Sequence, residues 1–325
     1  MFDLITVGDA TLDTFVRLPQ KHTVVSVDQE ARMLNLPFGE KIPVDHFSQS
    51  AGGNAVNVAT ATAKLGMKTA IFTVLGSGLS GKVVHDDLIR ANVAESYIVH
   101  DRKTRTNNSI LLNYRGERTV LSYHVERSYL LPKLKPTTWV YLTSASAKGF
   151  ARLAKDTVVQ AGYLNAKLAF NPGSQQIAKG IKELASVLAA SEVLFINRQE
   201  AERLVGKKPK DLLLTKAFIR YGAKIVVITD GTRGTLLCDG EKFFHCGAYK
   251  VKTIAQTGAG DAHAAGFIAA LARGLTYTDA LHWGAANAAS VVQKIGTQEG
   301  LLNARAMEHF FRTHSMPNVR QLLYG

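Results

Sequence analysis

Between residues 4 and 229, short and almost continuously apolar runs alternate with helical patterns. The runs are Leu4–Gly8, Thr69–Leu75, Trp139–Leu142, Leu168–Phe170, Val193–Ile196 and Ile225–Thr229. Helical patterns lie near Ala55–Leu65, Lys82–Arg90, Gly149–Ala161, Gln175–Leu188, Glu200–Val205 and Lys210–Tyr221. Strands without polar alternation are buried on both faces, so this order predicts a mostly parallel sheet covered by helices on each side. After Thr229 a hairpin pattern follows, Thr235–Cys238 and Lys242–His245, turning at Asp239-Gly240. Long helices are predicted over Ala259–Arg273 and Thr278–Ile295. The alternation breaks twice. The stretch Thr14–Ser50 holds extended pieces, Val24–Val27 and Met33–Leu36, punctuated by Pro19, Pro37, Gly39 and Pro43. A second insertion, about 97–124, holds the hairpin pattern Asn107–His124, turning at Arg115-Gly116. Nothing divides the chain, so one α/β domain over 1–325 is expected, with these insertions protruding as a flap over the ligand crevice.

Composition limits the setting. Hydrophobic residues make up 46% and charged residues 20%, enough for a large core. No run approaches the length needed to span a bilayer, and Met1–Gly8 lacks the basic start of a signal peptide. Cys238 and Cys246 show no metal-ligand spacing, which points to a reduced, cytoplasmic setting. The net charge of +13 raises the question of nucleic acid. However, the densest basic stretch, Arg203 to Lys224 with Lys207, Lys208, Lys210 and Lys216, overlaps an apolar helical pattern and reads as a solvated helix face. A positive field would also draw in anionic nucleotides.

Four loops carry candidate chemistry. In Thr257-Gly258-Ala259-Gly260-Asp261, glycines run straight into a helix. Free N–H groups and the positive end of the dipole make such a helix start an anion hole. Asp261 at its lip is either a helix cap or a general base for a hydroxyl attacking phosphorus. Gly52-Gly53-Asn54 opens a second helix, with Asn57 one turn after Asn54. Both amides can face the same side and serve sugar hydroxyls, or Asn54 is an N-cap. Asp9 and Asp13 follow the first strand, where ligands of such sheets bind; either can accept from a polyol or serve as a cap. Asn197-Arg198-Gln199-Glu200 follows another strand and suits Mg²⁺ held through water, or a capping box. Thr229 to Gly234 is a loop able to lie along a nucleotide. Gly76 to Lys82 has P-loop spacing, but Val83 stands where Mg²⁺ chemistry needs a hydroxyl.

In this order the motifs resemble the PfkB/ribokinase family of carbohydrate and nucleoside kinases. Gly52–Ala59 with Leu65-Gly66 resembles the amino-terminal signature, and Thr257–Asp261 with Gly266-Phe267 the carboxyl-terminal one. Asn197-x-x-Glu200 matches the magnesium-related motif, and Val227–Gly231 with Gly234 the nucleotide loop. The resemblance implies a ribokinase-like three-layer αβα sandwich with a small β-sheet lid. It implies ATP or another nucleoside triphosphate, Mg²⁺, and γ-phosphoryl transfer to a hydroxymethyl group. Asp261 would be the base, with Gly258, Ala259 and Gly260 as anion hole. Asp13, Gly52, Gly53, Asn54 and Asn57 would hold the acceptor. Asn197, Thr229, Gly231, Gly234 and Asn287 would hold the nucleotide, and Glu200 the magnesium through water. Three departures stand out. Ala255-Gln256 replaces the usual Asp-Thr, His263 replaces an aromatic, and Ser77-Gly78 replaces an acidic pair. Ala255 removes the charged ligand of the family's monovalent cation, so weak or absent K⁺ activation is expected. Phosphosugar kinases of the family often carry a Lys at the place of Asn54, which favours an uncharged acceptor here. The ranking is a ribose- or fructose-like sugar, then a nucleoside of adenosine, cytidine or inosine type, then a non-catalytic sugar or nucleotide sensor. Exposed lid edges invite a homodimer.

Overall fold

The apolar runs named above become neighbouring strands of one sheet in the computed structural model, which describes residues 1–19, 25–28, 30–31, 33–115, 117–206 and 209–322. The chain starts with β1 (Phe2–Val7) and leaves through β2 (Thr11–Arg17), a short pair β3 (Ser26–Asp28) and β4 (Met33–Asn35), and β5 (His46–Gly52). Helix α1 (Asn54–Lys64), β6 (Thr69–Gly76), α2 (Leu79–Arg90) and β7 (Ala94–Asp101) follow. The hairpin β8 (Asn107–Tyr114) and β9 (Glu117–Tyr123) precedes β10 (Thr137–Leu142), α3 (Phe150–Tyr163), β11 (Lys167–Phe170), α4 (Ser174–Ala178) and α5 (Ile181–Ala190). Then come β12 (Val193–Asn197), α6 (Arg198–Val205), α7 (Asp211–Ile219), β13 (Ile225–Thr229), β14 (Thr235–Cys238) and β15 (Phe243–Cys246). The end is α8 (Ala259–Ala272), α9 (Tyr277–Val291), α10 (Ala304–Thr313) and β16 (Val319–Leu322).

The main sheet runs β16-β15-β14-β13-β12-β11-β10-β1-β6-β7 and is parallel from β13 to β7. Its strands are apolar on both sides because both sides are covered. Val226 and Ile228 pack into one core with α3, α5, α6 and α7, while Ile225 and Val227 pack into the other with α8, α9 and α10. Period-two alternation thus feeds two cores from one strand. The order reverses between β1 and β10, whose carboxyl ends open the crevice where such sheets bind ligands.

The lid is a four-stranded sheet, β5-β2-β8-β9. Its bounds differ from those read in the sequence. β2 enters it at Thr11, and the second insertion starts near Asn107, because β7 pairs parallel with β6 as the edge of the main sheet. Half the side chains of β7 face solvent, so its run lacks the apolar continuity of a buried strand. The pattern Gln175–Leu188 is two helices, divided at Gly180, whose φ of 86° no helix interior tolerates. Val24, Gly116, Lys207 and Lys208 lie outside the described residues, so the turn at Arg115-Gly116 and part of the basic stretch are not assessed. The rest of that stretch behaves as a solvated face: α7 buries Leu214 and Phe218 and leaves Lys210 and Arg220 exposed.

Candidate active site

A cleft of about 1210 Å³ opens over the carboxyl ends of the strands, under the lid. One end is built on the β1/β10 reversal. Strand β2 carries Asp13 into it, 6% exposed, with Oδ1 accepting from Thr11 Oγ1 at 2.7 Å. Burial raises the Asp13 pKa above its ordinary value. Gly52, on the paired strand, is a glycine because any Cβ there would overlap the Asp13 carboxylate. Asp9 is turned to structural work: Tyr129 donates to its Oδ1 at 2.6 Å.

Gly53 caps α1 with φ 94°, and a side chain there would press on the Asp9 carbonyl at 2.7 Å. Asn54 is therefore not the cap. It is the first helical residue, and its Nδ2 donates to Asn171 Oδ1 at 3.2 Å. Asn57, buried on the next turn, donates from Nδ2 to Asp261 Oδ2 at 2.8 Å. Both amides face the cleft, as their spacing predicts, but Asn57 has a carboxylate as partner.

The opposite wall is the start of α8. Gly258 is its N-cap in the left-handed region, φ 79°, packed against Thr297. Space is open at Gly260, where a Cβ would meet nothing within 4 Å. A phosphate-sized group can approach these N–H groups directly. Asp261 lies in the first turn, 8% exposed. Burial, with smaller contributions from Glu200 and Asp13, pushes its pKa up to about 7, against the lowering by Asn57. The environment gives it a proton affinity matched to neutral pH, as a general base requires. His263 is buried against Thr235 and Gly284, and burial lowers its pKa to about 4, so it stays neutral near pH 7.

Between these ends, Asn197 and Glu200 form a full capping box on α6. Asn197 Oδ1 accepts from the Glu200 N–H at 2.9 Å, and Glu200 Oε2 accepts from the Asn197 N–H at 3.1 Å. Both still line the cleft while serving as the cap. Burial raises the Glu200 pKa. Thr229, Gly231 and Gly234 line the cleft beside them, with φ of 53° and 95° at the two glycines. Asp230 in that loop pairs with Arg198 and Arg233.

Asn287 does not reach the cleft. It is fully buried, donating to the Ala262 carbonyl at 2.8 Å and accepting from the Leu302 N–H at 3.0 Å. One end of its amide ties α9 to α8 and the other to the Leu302 loop, so both ends already have partners inside the protein. Ala285, Ala288, Ala289 and Val292 line the cleft from the same region. Lys82 of the P-loop-like stretch is exposed on α2 and outside the cleft lining. Sequence reasoning missed Arg118 of β9, which reaches Thr257, and the bridge that Asn171 makes from Asn54 to the Phe195 carbonyl.

A glycine-opened helix start, a buried carboxylate in its first turn and a lidded pouch opposite sit together on a ribokinase-like fold. A model of the pfkB family carbohydrate kinases matches residues 21–304, and the chain belongs to that family. It is 24% identical over 330 residues to a 5-dehydro-2-deoxygluconokinase of Lacticaseibacillus casei, covering 94% of this chain and all of that one. It is 26% identical over 286 residues to a ribokinase of Staphylococcus aureus, covering 81% and 89%. The structure of an Arabidopsis thaliana ribokinase complexed with ribose and ATP superposes with a TM-score of 0.78, at 20% identity, over 95% of this chain and 98% of that one. The protein is a sugar or nucleoside kinase.

Proposed function

We propose that this kinase moves the γ-phosphoryl group of ATP to the hydroxymethyl of a small, uncharged, ribose- or fructose-like sugar. The observation that carries the reading is Asp261. It is buried, has a pKa near 7, stands in the first turn of the anion-hole helix, and is held through Oδ2 by Asn57. Oδ1 is left to take the acceptor's proton. As the hydroxyl oxygen bonds to the γ-phosphorus, the bond to the β–γ bridging oxygen breaks, and ADP leaves with that electron pair. The N–H groups at Gly258, Ala259 and Gly260 meet the charge on the transferring group. Asp13 and Asn54 accept and donate to sugar hydroxyls at the lid end. The relatives named above, a 5-dehydro-2-deoxygluconokinase and a ribokinase, support a sugar over a nucleoside. Initial rates with a panel of neutral sugars, phosphosugars and nucleosides, read by ADP release, test this. A clear preference for a nucleoside overturns the sugar assignment.

The donor set fits Mg²⁺: one Glu200 oxygen accepts from the cap N–H, and Glu200 lines the cleft beside Asn197. Magnesium held there through water would screen the phosphates. Glu200→Gln should move the Mg²⁺ dependence of the rate to higher concentration. An unaltered Mg²⁺ titration would leave Glu200 as the cap alone.

The Ala255 loop bears on the monovalent cation. The N–H groups of Ile254 and Ala255 both donate to the Val292 carbonyl, at 2.7 and 3.1 Å, and Ala255 offers no carboxylate. Exchange of KCl for choline chloride at fixed ionic strength should leave the rate within about twofold, since a carbonyl-only site holds a monovalent ion weakly. A several-fold K⁺ stimulation would refute this. A homodimer through the lid is part of the same reading: β5 and β9 end the lid sheet, and Phe47, Leu121 and Tyr123 are exposed on it. Sedimentation velocity reads the dimer. The cytoplasmic assignment rests on the cysteines and is read by fractionation; among the described residues no helix is long and apolar enough to cross a membrane.

A further inference from the structure

Arg118 stands on β9 opposite Asn113, one same-face step beyond the Leu111–Val120 pair that looks into the cleft. Its Nη1 crosses from the lid to donate to Thr257 Oγ1 at 2.7 Å. Thr257 is the residue before Gly258, so the guanidinium stands at the mouth of the anion hole.

The charges around it are unequal. Asp9, Asp13, Glu200, Asp230 and Asp261 line the same cleft. Its other two arginines are committed: Arg198 to Asp230, Asp211 and Glu202, and Arg233 to Asp230. Arg118 makes no ion pair among the described residues, and its partner there is a neutral hydroxyl. A guanidinium forms its strongest bonds with planar or tetrahedral oxyanions, through two parallel N–H donors. Next to the anion hole, the oxyanion that would come within reach is the terminal phosphate of the nucleotide. The chain also lacks a carboxylate at Ala255 that could retain a cation beside that phosphate. A lid-borne cation supplies the missing positive charge and links it to lid position.

We propose that Arg118 is a phosphoryl clamp. It exchanges the Thr257 hydroxyl for the γ-phosphate of the bound nucleotide, so that the lid's contact with the anion hole passes through the third phosphate when one is present. This rests on the kinase reading above.

The test is calorimetric binding of Mg²⁺·ADP and of Mg²⁺ with adenylyl imidodiphosphate, a triphosphate that is not turned over, with no acceptor present. Wild type, Arg118→Ala and Arg118→Lys are compared. Arg118 is exposed on a hairpin, so both variants should fold, and circular dichroism checks this. Loss of a charge-assisted pair should weaken the triphosphate analogue in Arg118→Ala by roughly ten- to a hundredfold. ADP should change by less than about twofold. Arg118→Lys should recover part of the loss, since it keeps the charge without the fork. Equal weakening of both nucleotides, no weakening of either, or an effect confined to the acceptor KM overturns the clamp and leaves the kinase reading standing. Failure of the wild type to bind either nucleotide removes the kinase reading, and the clamp with it.

Discussion

Asp261→Asn is expected to lower kcat by about 10²- to 10⁴-fold while the KM for ATP changes little, because it removes a proton acceptor and leaves the helix start intact. The wild-type rate should rise with pH through about 7 and level off above it, following deprotonation of Asp261. The variant should lose that inflection. Stability gives an independent reading. The folded-state pKa is about 7 and the ordinary value 3.8, so the native protein binds more protons than the unfolded chain between those limits. Stability contributed by this group therefore falls as pH rises from about 4 to 7, and the charged form disfavours the native state by up to roughly 4 kcal/mol. Asparagine carries no charge. The variant should thus melt several degrees above wild type at pH 8 and near it at pH 5. A variant with more than half the wild-type activity refutes the base. Equal melting points at pH 8 refute the buried, charge-strained carboxylate.

Gly52→Ala should damage acceptor binding by displacing the carboxylate proposed to hold the acceptor. The new methyl would occupy the place of the Asp13 carboxylate, which is buried and tethered by Thr11. Displacing that carboxylate should raise the acceptor KM by about ten- to a hundredfold, the usual cost of losing a hydrogen bond to a charged group. The KM for ATP should hold within about twofold, since the loops proposed to hold the nucleotide follow β12 and β13, across the sheet. Asp13→Ala should match it. If Gly52→Ala is silent and Asp13→Ala is not, the strand adjusts and the carboxylate keeps its place. If neither moves the acceptor KM, Asp13 only organises the lid strand.

Much of this was legible in the chain because parallel strands buried on both faces leave an unmistakable apolar run. The runs of β1, β6, β10, β11, β12 and β13 all fell in the sheet as read. The edge strand β7 did not, because a half-solvated edge carries polar residues and resembles the insertion beside it. Helix α10 was missed because its buried face is only Met307 and Phe310. At the site, loops whose glycines open helices were visible as glycines. Partners were not. Nothing local says that Asn57 holds Asp261, that Arg118 reaches Thr257, or that both ends of Asn287 are satisfied inside the protein. The misplacement of Asn287 toward a nucleotide base came from the resemblance, and its burial between α8 and the Leu302 loop overrules it.

The Asn57–Asp261 hydrogen bond joins residues 204 positions apart, and β1 pairs with the distant β10 along its length, from Phe2 with Thr137 to Val7 with Leu142. On the ribosome, the residues proposed to hold the acceptor emerge early, and Asp261, the proposed proton acceptor, follows only with the last quarter of the chain. Contacts of such separation form late, since the intervening loop must close first. In a refolding experiment turnover is accordingly the last property to return, after secondary structure and after the amino-terminal half has found its own core. A chain interrupted before α8 lacks both Asp261 and the glycine-opened helix start, so it carries neither half of the proposed transfer site.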